Sequence, residues 1–340
     1  MIKIKNIYYM LSYAFSILNE KGYKDISLEE FDNIGDLFSE ILIHGITYQL
    51  KKGLHKDYID QKEILTTLRG KIDITSSINE GTIIKNKLVC IYDDFNENNY
   101  LNQIIKSTCL YLIKSDISNV RKNKLKKLML YFSNVDLINL SNIKWNITFN
   151  RNLQNYRLLI SICNLVVKGL IQTTDDGNSR LMTFLDDRYM SKLYEKFILE
   201  FYKKECPYLS ASSSKIDWIL DDEAEYMLPN MQSDIMLKKD NNILIIDAKY
   251  YTNNVQTYYD KQSIISANLY QIFTYVKNKQ YEDKTKCVSG MLLYAKTDSS
   301  IQPDSSFSMS GNKIEVRTLD LNQEFSSIKE SLITIAKTLF

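Results

Sequence analysis

Histidine is nearly missing from this sequence: only His44 and His55 occur in 340 residues. The five cysteines, Cys90, Cys109, Cys163, Cys206 and Cys287, are far apart, and no CxxC spacing joins them. A zinc site of the usual Cys/His spacing is therefore not expected. An odd, dispersed cysteine set points to a reducing, cytoplasmic setting rather than a disulfide framework. With 3 prolines and 10 glycines the chain lacks the composition of a linker or a disordered segment. No apolar stretch reaches the roughly 18 residues that a membrane span needs. The opening "MIKIKNIYYMLSYAFSIL" sets Lys3 and Lys5 ahead of an apolar run, as a signal peptide would. Tyr8, Tyr9, Ser12 and Tyr13 interrupt that run, and no small-residue cleavage site follows. An excess of one charge is missing too: 43 Lys and Arg against 41 Asp and Glu leave a net +2. Nucleic-acid contact must then rest on local patches. The densest, "RKNKLKK" at 121–127, reads most simply as a solvated helix face. No GxxxxGK[ST] motif occurs, so the chain is not expected to power a motor of its own.

What is present suits a folded chain too long for one core, and two domains are expected from 340 residues. Residues 6–20 carry apolar side chains at helical spacing. Ser27 with Glu30 forms a capping-box signature ahead of a second stripe through Phe31, Ile34, Leu37, Phe38, Ile41 and Leu42. Short β-branched and aromatic runs between 57 and 95 predict a small β region bent at Gly70 and Gly81. Helices are expected near 101–112, 120–133 and 152–171. "TTDDGNSR" at 173–180 is the best loop between halves, giving domains 1–178 and 179–340. The second half opens with a helix at 188–205. Strands follow in "KIDWIL", "MQSDIMLKK" and "NILIIDAKYY", then a helix in "QSIISANLYQIFTYVKNK" and a strand in "KCVSGMLLYAK". The expected fold class is α/β: a mixed α+β first domain, then an α/β domain whose sheet is covered by crossover helices.

The chemistry concentrates in "SDIMLKKDNNILIIDAKYY", residues 233–251. Asp247 and Lys249 are two apart on a strand, so their side chains leave on one face. Ala248 points the other way. "KDNN" turns the chain back, so Asp234 lies on the neighbouring strand and can bring its carboxylate close to Asp247. Two adjacent carboxylates repel, and a divalent cation relieves that repulsion. Oxygen ligands without histidine suit Mg²⁺, with Mn²⁺ as a substitute. A lysine beside such a cation can orient water and stabilise charge on a phosphate, which suits phosphodiester hydrolysis. An ordinary strand-end ion pair also explains Asp-x-Lys. Against that reading, four aliphatic residues at 243–246 lead straight into unshielded charge, a local conflict typical of functional sites. On the helix at 188–205, Glu195 and Glu200 edge the apolar face, and either could reach the site or stay solvated. Gln271 and Tyr275, four apart, share a helix face.

Glu, then Asp, then Asp-x-Lys at a strand end, then Gln-xxx-Tyr on the next helix resembles the PD-(D/E)xK nuclease superfamily. Pro229 precedes "NMQSD", so the proline and aspartate are not contiguous here. The closer resemblance is to McrC, the nuclease subunit of McrBC-type modification-dependent restriction systems. It is carried by "IKNIYYMLSYAF", "LRGKIDITSSI", "YDDFNENNYLNQIIKST", "LYEKFILEFY" and "MLPNMQSDIMLKKDNNILIIDAKYY", spread over most of the chain. The resemblance selects Glu195 over Glu200. It implies Asp234 and Asp247, with Glu195 and Ala248, as the metal-binding set, Lys249 as the catalytic lysine, and Gln271 and Tyr275 as residues lining the site. It also implies double-stranded DNA as substrate and a hexameric AAA+ GTPase as partner, which the N-terminal domain would contact as an adaptor. Arg69 and Lys71 could form a basic tip there, or simply an exposed hairpin. Two other functions stand beside this one. One is a non-catalytic assembly factor with a degenerate nuclease fold. The other is a stand-alone repair or transposition nuclease.

Overall fold

The computed structural model describes residues 2–15, 18, 23, 26, 28–171, 187–221, 227–251, 256–258 and 261–339. The loop expected at 173–180 and Ser27 of the expected capping box lie outside the described residues. Two compact units form: residues 32–182, and residues 1–31 together with 183–340. The division is thus not a single cut, because the first helix belongs with the C-terminal unit. Among the described residues no helix is long and apolar enough to cross a membrane.

That first helix, α1 (Ile4–Ala14), ends earlier than its apolar spacing suggested. In the unit of residues 32–182, α2 (Ile34–Lys52) starts at Asn33, whose side chain accepts from the Asp36 N–H. The helix therefore begins past Glu30 and Phe31, where the capping signature had placed it. A three-stranded antiparallel sheet follows, built of β1 (Asp57–Leu65), β2 (Lys71–Ile72) and β3 (Leu88–Asn96) in the order β1-β3-β2. The short α3 (Ile74–Asn79) lies between β2 and β3. Gly70 has φ 65°, and a Cβ there would lie 2.4 Å from the Ile91 carbonyl oxygen, so glycine is required at that bend. Helices α4 (Tyr100–Lys114), α5 (Asn119–Met129) and α6 (Gln154–Ile171) complete the unit. Its core is helical, with Phe38, Ile41, Ile104, Leu125 and Leu158 fully buried.

The other unit is built on a six-stranded mixed sheet. After α7 (Asp187–Glu205) come β4 (Ser210–Ser212), β5 (Lys215–Ile216), β6 (Met231–Gln232), β7 (Ile235–Lys239) and β8 (Asn242–Lys249). Next are β9 (Gln256–Tyr258), β10 (Lys261–Ser263) and α8 (Ser266–Glu282). The chain closes with β11 (Cys287–Ala295), β12 (Ser305–Met309), β13 (Asn312–Leu319) and α9 (Phe325–Leu339). Strand order in the main sheet is β12-β13-β11-β8-β7-β4. β8, β11 and β13 run parallel, and β7 is antiparallel to β8. Helix α8 is the crossover that parallel pairing of β8 and β11 demands. "KIDWIL" forms a strand only at Lys215–Ile216, and "MQSDIMLKK" breaks at Ser233 and Asp234 into β6 and β7. Residues 243–246 are buried throughout, as a central strand covered on both faces requires. Ile243 and Ile245 pack with Ile272 and Val276 of α8. Side chains alternate along a strand, so Asp247 and Lys249 continue that same face.

Candidate active site

Ile235 pairs with Ile246 in the antiparallel ladder, so Asp234 sits at the ladder's open end beside Asp247. There the Asp234 Oδ2 accepts a 2.9 Å hydrogen bond from the Ala248 N–H. Asp247 is 1% exposed. Its Oδ2 lies 2.9 Å from the Lys249 Nζ but accepts no well-directed hydrogen bond. Lys249 Nζ donates instead to Gln271 Oε1 at 3.1 Å, and Gln271 Nε2 donates to the Tyr275 hydroxyl at 3.0 Å. The end of β8 and one face of α8 thus form a polar chain from carboxylate to phenol, an ion pair followed by two hydrogen bonds.

Burial pushes the Asp247 carboxyl up to about 7, with the negative charge of Asp234 adding to the rise and Lys249 opposing it. Burial alone would lower the Lys249 ammonium. The charges of Asp247 and Asp234 outweigh that and hold it above its ordinary value. Glu195, on α7, accepts from the Ser191 hydroxyl at 3.0 Å. Burial raises its carboxyl, and Asp234 raises it further. Glu195 therefore shares the field of Asp234 and Lys249. Glu200 does not: it pairs with Lys203 at 2.9 Å on the exposed side.

A divalent cation fits this arrangement in its chemistry. Asp247 is a buried carboxyl paired with Lys249, with an oxygen that accepts no directed hydrogen bond and a second carboxylate beside it. Ala248 has only main-chain atoms to offer, and its N–H is given to Asp234, leaving its carbonyl. Among the described residues no three of His, Cys, Asp and Glu gather closely enough to hold a cation. Two carboxylates are the usual protein share for Mg²⁺, which keeps waters and takes substrate phosphates as its other ligands.

The structure adds residues that sequence reading did not single out. Asn268, one turn before Gln271 on α8, donates to the Tyr294 hydroxyl at 2.9 Å and accepts from the Tyr251 hydroxyl at 3.3 Å. At the break between β6 and β7, Ser233 N donates to the Ser214 carbonyl at 3.0 Å and fixes the bend that presents Asp234. Asparagine and serine at these positions carry no spacing signal. Only the fold joins them to the site.

A mixed sheet whose central parallel strand ends in Asp247 and Lys249, with Asp234 immediately ahead of the antiparallel neighbour β7, defines a restriction-endonuclease-like α/β domain. The chain belongs to the family described as McrBC 5-methylcytosine restriction system component, whose model matches residues 3–295. It is 28% identical over 340 residues to the type IV methyl-directed restriction enzyme EcoKMcrBC of Escherichia coli K12, covering 98% of this chain and 97% of that one. Its fold is similar to a chain in the refined half-complex from the tetradecameric assembly of Thermococcus gammatolerans McrB AAA+ hexamers with bound McrC. The TM-score is 0.52 at 18% identity, over 98% of this chain and 76% of the other.

Proposed function

We propose that this chain is the McrC-type nuclease subunit of its restriction system. It hydrolyses phosphodiesters of double-stranded DNA with Mg²⁺ and works with a hexameric AAA+ GTPase. The observation that carries the reading is Lys249, poised between Asp247 and Gln271 at a strand end that Asp234 closes from the side. Asp234, Asp247 and the Ala248 carbonyl would hold the cation, with Glu195 close enough to share the field. A bound divalent ion supplies Lewis acidity and a more acidic attacking water. Lys249 is placed to orient that water or to stabilise charge developing on the phosphate. Gln271 spends its amide oxygen on the lysine and its amide nitrogen on Tyr275, which fixes the ammonium's direction. The partner reading draws on the McrB AAA+ hexamers of the Thermococcus assembly and on the lack of a nucleotide-binding motif here. Residues 32–182, with no catalytic cluster of their own among the described residues, are the part we assign to contact and stimulate the GTPase. The test is plasmid cleavage in Mg²⁺ by the chain with its AAA+ partner and GTP. The expected result is nucleotide- and partner-dependent cutting that Asp247→Ala abolishes while GTP hydrolysis stays stimulated. Cutting by the chain alone would instead support a stand-alone nuclease. The alternative role is an assembly factor that does not cut. No cleavage with stimulation intact in both versions would establish that role.

A further inference from the structure

Asn268 is 5% exposed, and both of its amide atoms are used. Its Nδ2 donates to Tyr294, itself fully buried, and its Oδ1 accepts from Tyr251. The two rings lie 6.3 Å apart. Tyr294 is the β11 residue paired with Lys249 in the parallel ladder, and Tyr251 follows Lys249 by two residues, just past the end of β8. One turn along α8, Gln271 binds Lys249 directly. Asn268 therefore ties α8 to both neighbours of the lysine, one across the ladder and one along the chain. A buried polar network of this kind is costly unless fully satisfied, and it fixes geometry more sharply than apolar packing does. Lysine has four rotatable bonds, so a fixed strand end and a fixed amide acceptor are what hold its ammonium in one place.

Resting on the nuclease reading above, we propose that Asn268 is a positioning residue for the hydrolysis, acting through Tyr251 and Tyr294 to set Lys249 against Asp247 and Gln271. It touches neither DNA nor cation. Its contribution is to the rate of the chemical step and not to substrate affinity.

The test uses the full chain with its AAA+ partner, GTP and Mg²⁺ on plasmid DNA under single-turnover conditions. DNA affinity and melting temperature are measured in parallel. Asn268→Leu keeps the bulk and deletes both hydrogen bonds. Tyr251→Phe and Tyr294→Phe each delete one and keep the ring. The expected result is a single-turnover rate about 10–100-fold lower in Asn268→Leu at unchanged DNA affinity, a loss larger than any fall in melting temperature accounts for. The tyrosine variants lose less singly and add nothing to Asn268→Leu, as members of one network do. Wild-type rates in Asn268→Leu, or losses that add independently and track the melting temperature, would overturn the inference alone. A wild-type chain that cuts no DNA would overturn it together with the nuclease reading.

Discussion

At Lys249 the ammonium sits 2.9 Å from the Asp247 carboxylate and 3.1 Å from the Gln271 amide oxygen, with the side chain 15% exposed. Removing it leaves a carboxyl that burial already pushes up to about 7, so Asp247 takes a proton rather than stay buried as a bare charge. The fold then survives and the chemistry does not. Lys249→Ala is expected to lose cleavage by at least about 100-fold while its circular dichroism and partner assembly match wild type. Full cleavage by that variant would remove Lys249 from the mechanism. At this scale the sequence was informative where a short period carries the geometry. Asp247 and Lys249 share a face because strands repeat every two residues, and Gln271 and Tyr275 because helices nearly repeat every four. Asn268 was illegible for the opposite reason. Its partners lie 17 and 26 positions away, and both are tyrosines in a chain that has 24 of them.

Between elements, the approach of α8 to the sheet is set by Gly290 on β11. A Cβ there would lie 2.7 Å from Val276 Cγ2, and 2.9 Å from both Ile272 Cγ1 and Ile314 Cδ1. Two of these atoms belong to α8, so a methyl group pushes away the helix that carries Asn268, Gln271 and Tyr275. Gly290→Ala is expected to cost about 1–3 kcal/mol in urea unfolding and to slow cleavage beyond that loss. A variant as stable and as active as wild type would show that α8 yields freely. In the other unit, α2 and α5 are joined by Glu40, which is 1% exposed and accepts from Arg121 at 2.9 Å and Lys124 at 3.1 Å. Burial works to raise its carboxyl, but His44, Lys124 and Arg121 together hold it at about 2, below its ordinary 4.5. The unfolded chain therefore takes up this proton first. The stabilisation is complete above pH 4.5 and is lost as pH falls from there toward 2. Glu40→Gln should flatten that stretch of the acid-unfolding curve, and an unchanged curve would exclude Glu40 as its source. Elements with one strong pattern were readable, β8, α8 and β11 among them. The break at Ser233 was not, because its cause is a pair of hydrogen bonds to Ser214 across a turn of the chain. Nor were β12, β13 and α9, whose polar, serine-rich approach hides the strands.

For the whole molecule, the decisive element is the one farthest from the site in sequence. Sequence reading divided the chain once, near residue 178, because the loop composition there is distinctive and nothing marks residue 31 as a boundary. Yet α1 packs into the C-terminal unit. Met10 and Leu11 are buried, Asn6 Nδ2 donates to the carbonyls of Leu321 and Gln323 at 2.8 Å each, and the Tyr13 hydroxyl donates to Glu205 at 2.7 Å. Tyr13 also lies edge-on to Phe197 of α7, and Tyr9 stacks on Phe325 of α9. Each buried apolar side chain contributes roughly 1.5–3 kcal/mol. The handful on α1 together rival the roughly 5–15 kcal/mol that holds a whole domain folded. A fragment of residues 179–340 should therefore lack a cooperative thermal transition, whereas residues 1–31 joined by a flexible linker to 183–340 should regain it. Residues 32–182, with a helical core of their own, should melt cooperatively alone. Equal melting temperatures for the fragments with and without α1 would show that the helix only rests on the unit. If α1 is required, α7 and the Glu195 it carries owe their place to the first residues of the chain. Any displacement of that helix would then reach the site through α7.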